Sequence, residues 1–346
     1  MTGREKVINA LEHKETAGVP KFIWYHPEVK LRLAEKLNIE GKNLDAELGN
    51  DLLQDWVSIN REMAREVPQG QDFVDEWGIR WKRDGFYNMV VEHPLQDCSK
   101  EEIIKYPLPD PFVDERFKGL EELIDKYGQT RFIGADVSGS IFEPAYHLRN
   151  MENLMMDMAT GAEEVELLFD RLAEFTETVA IESLKRGADW IWLGDDIGTQ
   201  RGMIMSPDMW RKYLKPRLKR VIEHIRDYKL DTYVAYHSCG SMHQVIGDLV
   251  EIGIDALNPI QPKAAGMDPF KIKEEFGSKI TLVCGLDTQE FIIKALPAEV
   301  RKRTGELIDR LSQGGGYIYA VSHTLQPDVP LDNIIAMLEV LDNSRL

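Results

Sequence analysis

Thiols are scarce in this chain: its 346 residues include only three cysteines, Cys98, Cys239 and Cys284. They form no paired pattern, which argues against a disulfide scaffold and for a reducing, cytoplasmic setting. Positive charge is also in short supply. Lys and Arg number 42 against 59 Asp and Glu, a net charge of −17. Nucleic-acid binding needs a basic footprint, so that class of function is excluded. A heavily anionic substrate would need local arginines to offset the field. No apolar run reaches the roughly 18–20 residues that cross a bilayer, so no membrane span is expected. The opening Met1-Thr2-Gly3-Arg4-Glu5-Lys6 lacks the apolar core of a secretory leader. No Gly-x-Gly-x-x-Gly follows a strand-like run, which leaves out a dinucleotide fingerprint. Gly314-Gly315-Gly316 precedes its strand and reads as a helix end and turn.

What remains is a chain with 43% hydrophobic residues, enough to bury a large α/β core. The segment Arg4–His13 has helical spacing, and Lys21–Tyr25 reads as a first strand. Leu31–Arg65 reads as mostly helical, with a break at Gly49-Asn50-Asp51. Arg83-Asp84-Gly85, between extended runs, predicts a hairpin insertion near residues 75–95. Pro107, Pro109 and Pro111 mark a rigid connector.

From Arg131 the chain alternates. Strand-like runs fall at Arg131–Ala135, Trp190–Leu193, Thr232–Tyr236, Ala256–Asn258, Ile280–Val283 and Tyr317–Val321. Helical runs between them include Met151–Met158, Glu163–Lys185, Pro207–Tyr228, Met242–Ile252, Pro269–Phe276 and Pro297–Gln313. This rhythm predicts right-handed βαβ units and a parallel sheet. With a strand near residue 22 and another in the 45–60 region, it predicts one (β/α)8 barrel spanning residues 1–346.

Polar residues end nearly every strand: Asp136, Asp195-Asp196, His237 with Cys239, Asn258, Cys284 with Asp287, and Ser322-His323. In a parallel barrel those ends converge on one face. His237-Ser238-Cys239-Gly240 is the sharpest of these features. Imidazole and thiol two residues apart at a strand end point the same way, a workable pair of ligands for a soft metal such as zinc. The other reading is a strand ending in His beside a buried, inert Cys. Adjacent Asp195 and Asp196 repel, so one of them should find a cation, a metal or backbone N–H groups; a solvated loop or helix cap is the alternative. His323, beside the mouth, is a candidate acid–base or substrate-binding group. Met151, Met155, Met156 and Met158 read as packing, and Cys98 as unrelated to the site.

These segments resemble the uroporphyrinogen decarboxylase superfamily, which includes cobalamin-dependent methyltransferases. The likeness rests on Gly194-Asp195-Asp196-Ile197-Gly198-Thr199-Gln200, Met205-Ser206-Pro207 and His237-Ser238-Cys239-Gly240-Ser241. It extends through Asn258-Pro259-Ile260-Gln261, Gly285-Leu286-Asp287-Thr288-Gln289 and His323–Pro330. The resemblance implies a (β/α)8 barrel. Tetrapyrrole decarboxylases of the family carry an arginine-rich N-terminal segment that grips substrate carboxylates. The matching Phe22-Ile23-Trp24-Tyr25-His26-Pro27-Glu28 has no arginine and is aromatic. The methyltransferase branch uses a His-x-Cys…Cys zinc site, which His237 and Cys239 match. Thiol-methylating members place the third cysteine after the last strand, where this chain has Ser322-His323.

The resemblance therefore implies a methyltransferase with zinc on His237, Cys239 and Cys284, and Asp195, Asp196 and His323 as catalytic groups. Trp24, Tyr25, Phe142, Tyr146 and Asn258 would line the substrate side. The methyl group would pass between a small methylated donor, or a thiol acceptor, and the cobalamin of a partner corrinoid protein. Two other functions are compatible with the same residues: a decarboxylase acting on a tetrapyrrole or related carboxylate, and a non-catalytic corrinoid- or tetrapyrrole-binding protein. An acidic barrel of this size commonly pairs into a homodimer.

Overall fold

The computed structural model describes residues 1–41, 43–59, 61, 65, 67–85 and 87–344. Seven parallel strands form one curled sheet in the spatial order β1 (Leu52–Trp56), β5 (Phe132–Asp136), β6 (Trp190–Gly194), β7 (Tyr233–His237), β8 (Ala256–Asn258), β9 (Thr281–Cys284) and β10 (Tyr317–Tyr319). The seam between β10 and β1 is filled by the extended segment 21–25. Phe22 donates its N–H to Tyr319 O at 2.9 Å, and Asp51 donates to Lys21 O at 2.9 Å. The Asn50 side chain completes the seam. Its Oδ1 accepts from Ile23 N at 3.0 Å and its Nδ2 donates to Ile23 O at 2.9 Å, as a neighbouring strand would. The expected strand at residue 22 thus holds its place in the ring through this borrowed pairing, and the architecture is a TIM-type α/β barrel.

Alternation along each strand sorts side chains into two layers. Inside the barrel sit Phe22, Leu52, Phe132, Trp190, Trp192, Ala235, Ala256, Val283, Ile318 and Ala320. Between the sheet and the outer helices sit Ile133, Ile191, Leu193, Val234, Tyr236, Leu257, Leu282 and Cys284. Large indoles inside the ring need small neighbours. Gly134 is one: a Cβ there would lie 2.1 Å from Trp190 Nε1. The helix Gly3–Leu11 plugs the N-terminal end with Val7, Ala10 and Leu11. The opposite end, where the strands finish, is the mouth.

Two expectations change. The stretch 31–65 is not one mostly helical unit. It holds the end of helix Pro27–Leu37, helix Leu44–Glu47 and strand β1; residues 42, 60 and 62–64 of that expectation lie outside the described residues. The polar Gln54 at an inward position hides β1 from an alternation test. The single helix expected over 207–228 is two, Pro207–Tyr213 and Lys215–Tyr228, because Pro216 occupies the first turn of the second. The expected hairpin is present as β3 (Arg80–Asp84) and β4 (Tyr87–Glu92), with a third antiparallel strand, β2 (Asp72–Val74), added at its edge. No helix among the described residues is long and apolar enough to cross a membrane.

Candidate metal centre

Strand register brings the site together. Gly194, His237 and Asn258 are partners across β6, β7 and β8, so their inward faces lie in one layer at the mouth. The two loops that follow β6 and β7 meet backbone to backbone. A Cβ on Gly240 would lie 2.5 Å from Gly198 C, and Gly240 has φ of +80°. Only glycine suits that position on both counts, which explains the Gly of His-x-Cys-Gly. Ser241 N then donates to Thr199 O at 2.8 Å, and Ile197 N to Ser238 Oγ at 3.1 Å.

On this frame the ligand atoms of Asp196, His237 and Cys239 all lie within 4.8 Å of one another. His237 Nε2 is 3.7 Å from Cys239 Sγ and 3.8 Å from Asp196 Oδ1. Asp196 Oδ1 also accepts from Cys239 N at 2.7 Å, which fastens the thiol-bearing loop to the carboxylate.

The imidazole is held in one tautomer. Asn258 donates its Nδ2 to Val283 O at 2.9 Å, so its Oδ1 faces His237 Nδ1 at 2.8 Å. A carbonyl oxygen only accepts, so Nδ1 carries the hydrogen and Nε2 presents its lone pair to the thiol and carboxylate. This is the partner a ligating histidine normally has behind it. Without a metal, burial pushes the Cys239 thiol well up, and the negative charge of Asp196 and Glu143 adds to that. A divalent ion reverses the balance and favours thiolate. The residues fit zinc: one imidazole nitrogen, one sulfur and one carboxylate oxygen, three of the four ligands a zinc site takes.

The other expected site residues are distributed unevenly. Cys284 lies outside this group. Val283 points inward, so Cys284 points into the sheet–helix layer, fully buried, and burial pushes its thiol up to about 12. Tyr25 follows the same rule: Trp24 faces the mouth and Tyr25 packs outward. Phe142 is fully buried in the outer core, packed on Tyr146 at 5.4 Å, rather than open to substrate. Tyr146 turns its hydroxyl to Glu143 Oε1 at 3.4 Å. Asn258 serves His237 with its amide oxygen and Val283 with its amide nitrogen, so it orients the imidazole. Asp195 is fully buried. Its carboxylate accepts from Ile141 N at 3.1 Å and Glu143 N at 2.9 Å, at the start of helix Phe142–Arg149. Burial still pushes it up to about 7. It places the Glu143 helix and does not reach the mouth. His323 is at the rim, 6.3 Å from Trp24 and 6.4 Å from His237 between ring centres, outside the ligand group.

Sequence reasoning missed Glu143 and Trp56. Glu143 is buried beside Asp196. Burial and the charges of Asp196 and Asp195 push its carboxyl well up. Its only signal was a first-turn position ahead of Pro144. Trp56 ends β1 on the inward face of Leu52 and Gln54, beside Asp136; it went unseen because β1 did. Asp136 is buried and pushed up to about 6 by burial, offset by Ser138 and by the charge of His237.

A family model described as uroporphyrinogen decarboxylase matches residues 85–344. The uroporphyrinogen decarboxylase of Legionella pneumophila (strain Corby) is 22% identical over 259 residues, covering 72% of this chain and 69% of that protein. That of Geobacter sulfurreducens is 22% identical over 281 residues, covering 77% and 75%. Among solved structures, a methyltransferase from Methanosarcina mazei superposes with a TM-score of 0.74 at 18% identity, covering 99% of both chains. That likeness is one of fold. The family model spans most of the chain, including every strand of the mouth except β1 and the 21–25 segment, and on that match the chain belongs to the uroporphyrinogen decarboxylase family.

Proposed function

We propose that this protein is a zinc-dependent methyltransferase that moves a methyl group between a small methylated compound and the cobalamin of a separate corrinoid protein docking at the barrel mouth. The observation that carries this reading is the convergence of His237 Nε2, Cys239 Sγ and an Asp196 oxygen within 4.8 Å, with Asn258 fixing the tautomer behind them. The fold shared with the Methanosarcina mazei methyltransferase supports it. Zinc bound there supplies Lewis acidity, polarising a donor atom or holding a thiol as thiolate.

The chain's own groups have distinct tasks. Asn258 keeps the lone pair of His237 directed at the metal position. Asp196 anchors the Cys239 loop and offers an oxygen. Asp195 holds the start of the Glu143 helix. His323, on the rim against Trp24, is placed to hand a proton to a leaving oxygen. Trp24, Trp56 and Trp192 exclude water from one side of the reacting centre.

Decarboxylation of a tetrapyrrole carboxylate, the activity named for the relatives, has less support. No Lys or Arg partners Asp136, Glu143, Asp195 or Asp196 among the described residues. A polyanion entering this mouth would meet carboxyl groups that no guanidinium pairs among the described residues. The test is methyl transfer to free cob(I)alamin across methoxylated aromatics, methanol, methylated amines and thiols, run beside uroporphyrinogen turnover. Corrinoid methylation that needs Cys239 supports the proposal. Decarboxylation without corrinoid methylation overturns it.

A further inference from the structure

We infer that Gln261 is the positioning residue of the Cys239 sulfur: its carboxamide N–H is the hydrogen-bond donor to the thiolate when a metal is bound. The inference rests on the metal-centre part of the proposed function and is independent of which compound carries the methyl group.

A metal-bound thiolate keeps lone pairs that the metal does not use, and N–H groups around it set its orientation and donor strength. The nearest backbone donors point elsewhere. Cys239 N donates to Asp196 Oδ1 at 2.7 Å, Gly240 N to Gln261 Oε1 at 3.0 Å and Ser241 N to Thr199 O at 2.8 Å. The Ser241 hydroxyl donates to Ala265 O at 2.6 Å. His237 Nε2 lies 3.7 Å from the sulfur, but it carries a lone pair rather than a hydrogen. The thiol-bearing loop thus commits its own N–H groups to holding its shape.

Gln261 supplies what that loop does not. It comes three residues after Asn258, the end of β8, and is buried. Its Oε1 accepts twice, from Gly240 N at 3.0 Å and from Gln200 Nε2 at 2.7 Å. Two donors on one oxygen fix the amide's orientation, because an N–H2 group in that place would meet their hydrogens. The Nε2 end is therefore the one turned to Cys239. Burial and the charges of Asp196 and Glu143 push the Cys239 thiol up, and a hydrogen bond from the Gln261 side chain opposes them. One carboxamide joins the loops after β6, β7 and β8. The β8 end backs both ligands, His237 through the oxygen of Asn258 and Cys239 through the nitrogen of Gln261.

The consequence is electronic as well as geometric. An N–H···S bond draws charge from the sulfur, so the metal keeps more of its Lewis acidity and the thiolate stays a ligand rather than a nucleophile.

The test loads the full chain with cobalt(II) in place of zinc. Its sulfur-to-metal charge-transfer absorption reports the thiolate, and its visible ligand-field bands report the ligand number. The parent is compared with Gln261→Met and Gln261→Glu. Both variants lack the N–H. Gln261→Met adds no charge, and Gln261→Glu keeps an oxygen for Gly240 N and Gln200 Nε2, which preserves the loop contacts. The charge-transfer band should move to longer wavelength in both, with the ligand-field bands in place. Gln261→Met should also bind the metal roughly 10–100-fold more weakly. An unmoved band with cobalt bound, or loss of cobalt from Gln261→Glu, overturns the inference and leaves Gln261 a loop support. A parent that binds no cobalt sinks the metal centre, and this inference with it. A shifted band in the variants beside a parent that methylates no corrinoid sinks the methyltransferase reading alone.

Discussion

Asn258 shows how much a residue behind the site decides. Its Nδ2 donates to Val283 O at 2.9 Å and so turns its Oδ1 toward His237 Nδ1 at 2.8 Å. Replacing it with Leu leaves the imidazole free to rotate and to change tautomer. The expected result is roughly a 10–100-fold loss of zinc affinity with Cys239 still present, the usual cost of removing such a partner. Competition against a calibrated chelator measures it. The same residue marks a limit of sequence reading. A polar strand end is legible; whether its amide faces substrate or a neighbouring ligand depends on which strand lies beside it. Cys284 and Tyr25 mark another. Period-two alternation sends each away from the mouth, but applying it needs the strand's phase. The phase was readable for β7 from His237 and Cys239, and not for β9, a short wholly apolar run.

At the scale of elements, the alternation of strands and helices beyond Arg131 was legible because each βα unit repeats one pattern. β1 and the 21–25 segment were harder. Their ladder bonds go partly to side chains and to one-residue bridges, and β1 carries Gln54 on its inner face. Trp56 was lost with them. Inside the ring, packing of the indoles sets a strict demand at Gly134. Gly134→Ala puts a methyl group 2.1 Å from Trp190 Nε1. In a closed barrel Trp190 has little freedom to retreat, so destabilisation of about 3 kcal/mol is expected. Denaturant unfolding should show a lower midpoint with an unchanged slope.

Across the whole molecule, buried titratable groups give stability a pH dependence with two opposing parts. His147 is buried under Trp81, 5.1 Å away, and burial with the charge of His93 pushes it down to about 3. The unfolded chain takes up this proton near pH 6.5 and the folded chain does not. Its contribution is therefore complete above pH 6.5 and is lost progressively as pH falls toward 3, at about 1.4 kcal/mol per pH unit. Asp55 and Asp136, raised to about 6, and Asp195, raised to about 7, act oppositely, since the folded chain holds their protons more tightly. Their contribution is lost as pH rises through that range. Comparing His147→Phe with the parent cancels the carboxyl terms. The variant should lose less stability between pH 6.5 and 4, and parallel curves would refute the assignment.

The central claim is that one mouth holds one metal on His237, Cys239 and Asp196. Zinc content per chain, measured by mass spectrometry on protein purified without added metal, tests it most directly in three proteins: the parent, Cys239→Ser and Cys284→Ser. The account predicts about one zinc in the parent and in Cys284→Ser, and its loss in Cys239→Ser. Zinc retained without Cys239, or lost on replacing Cys284, would contradict it.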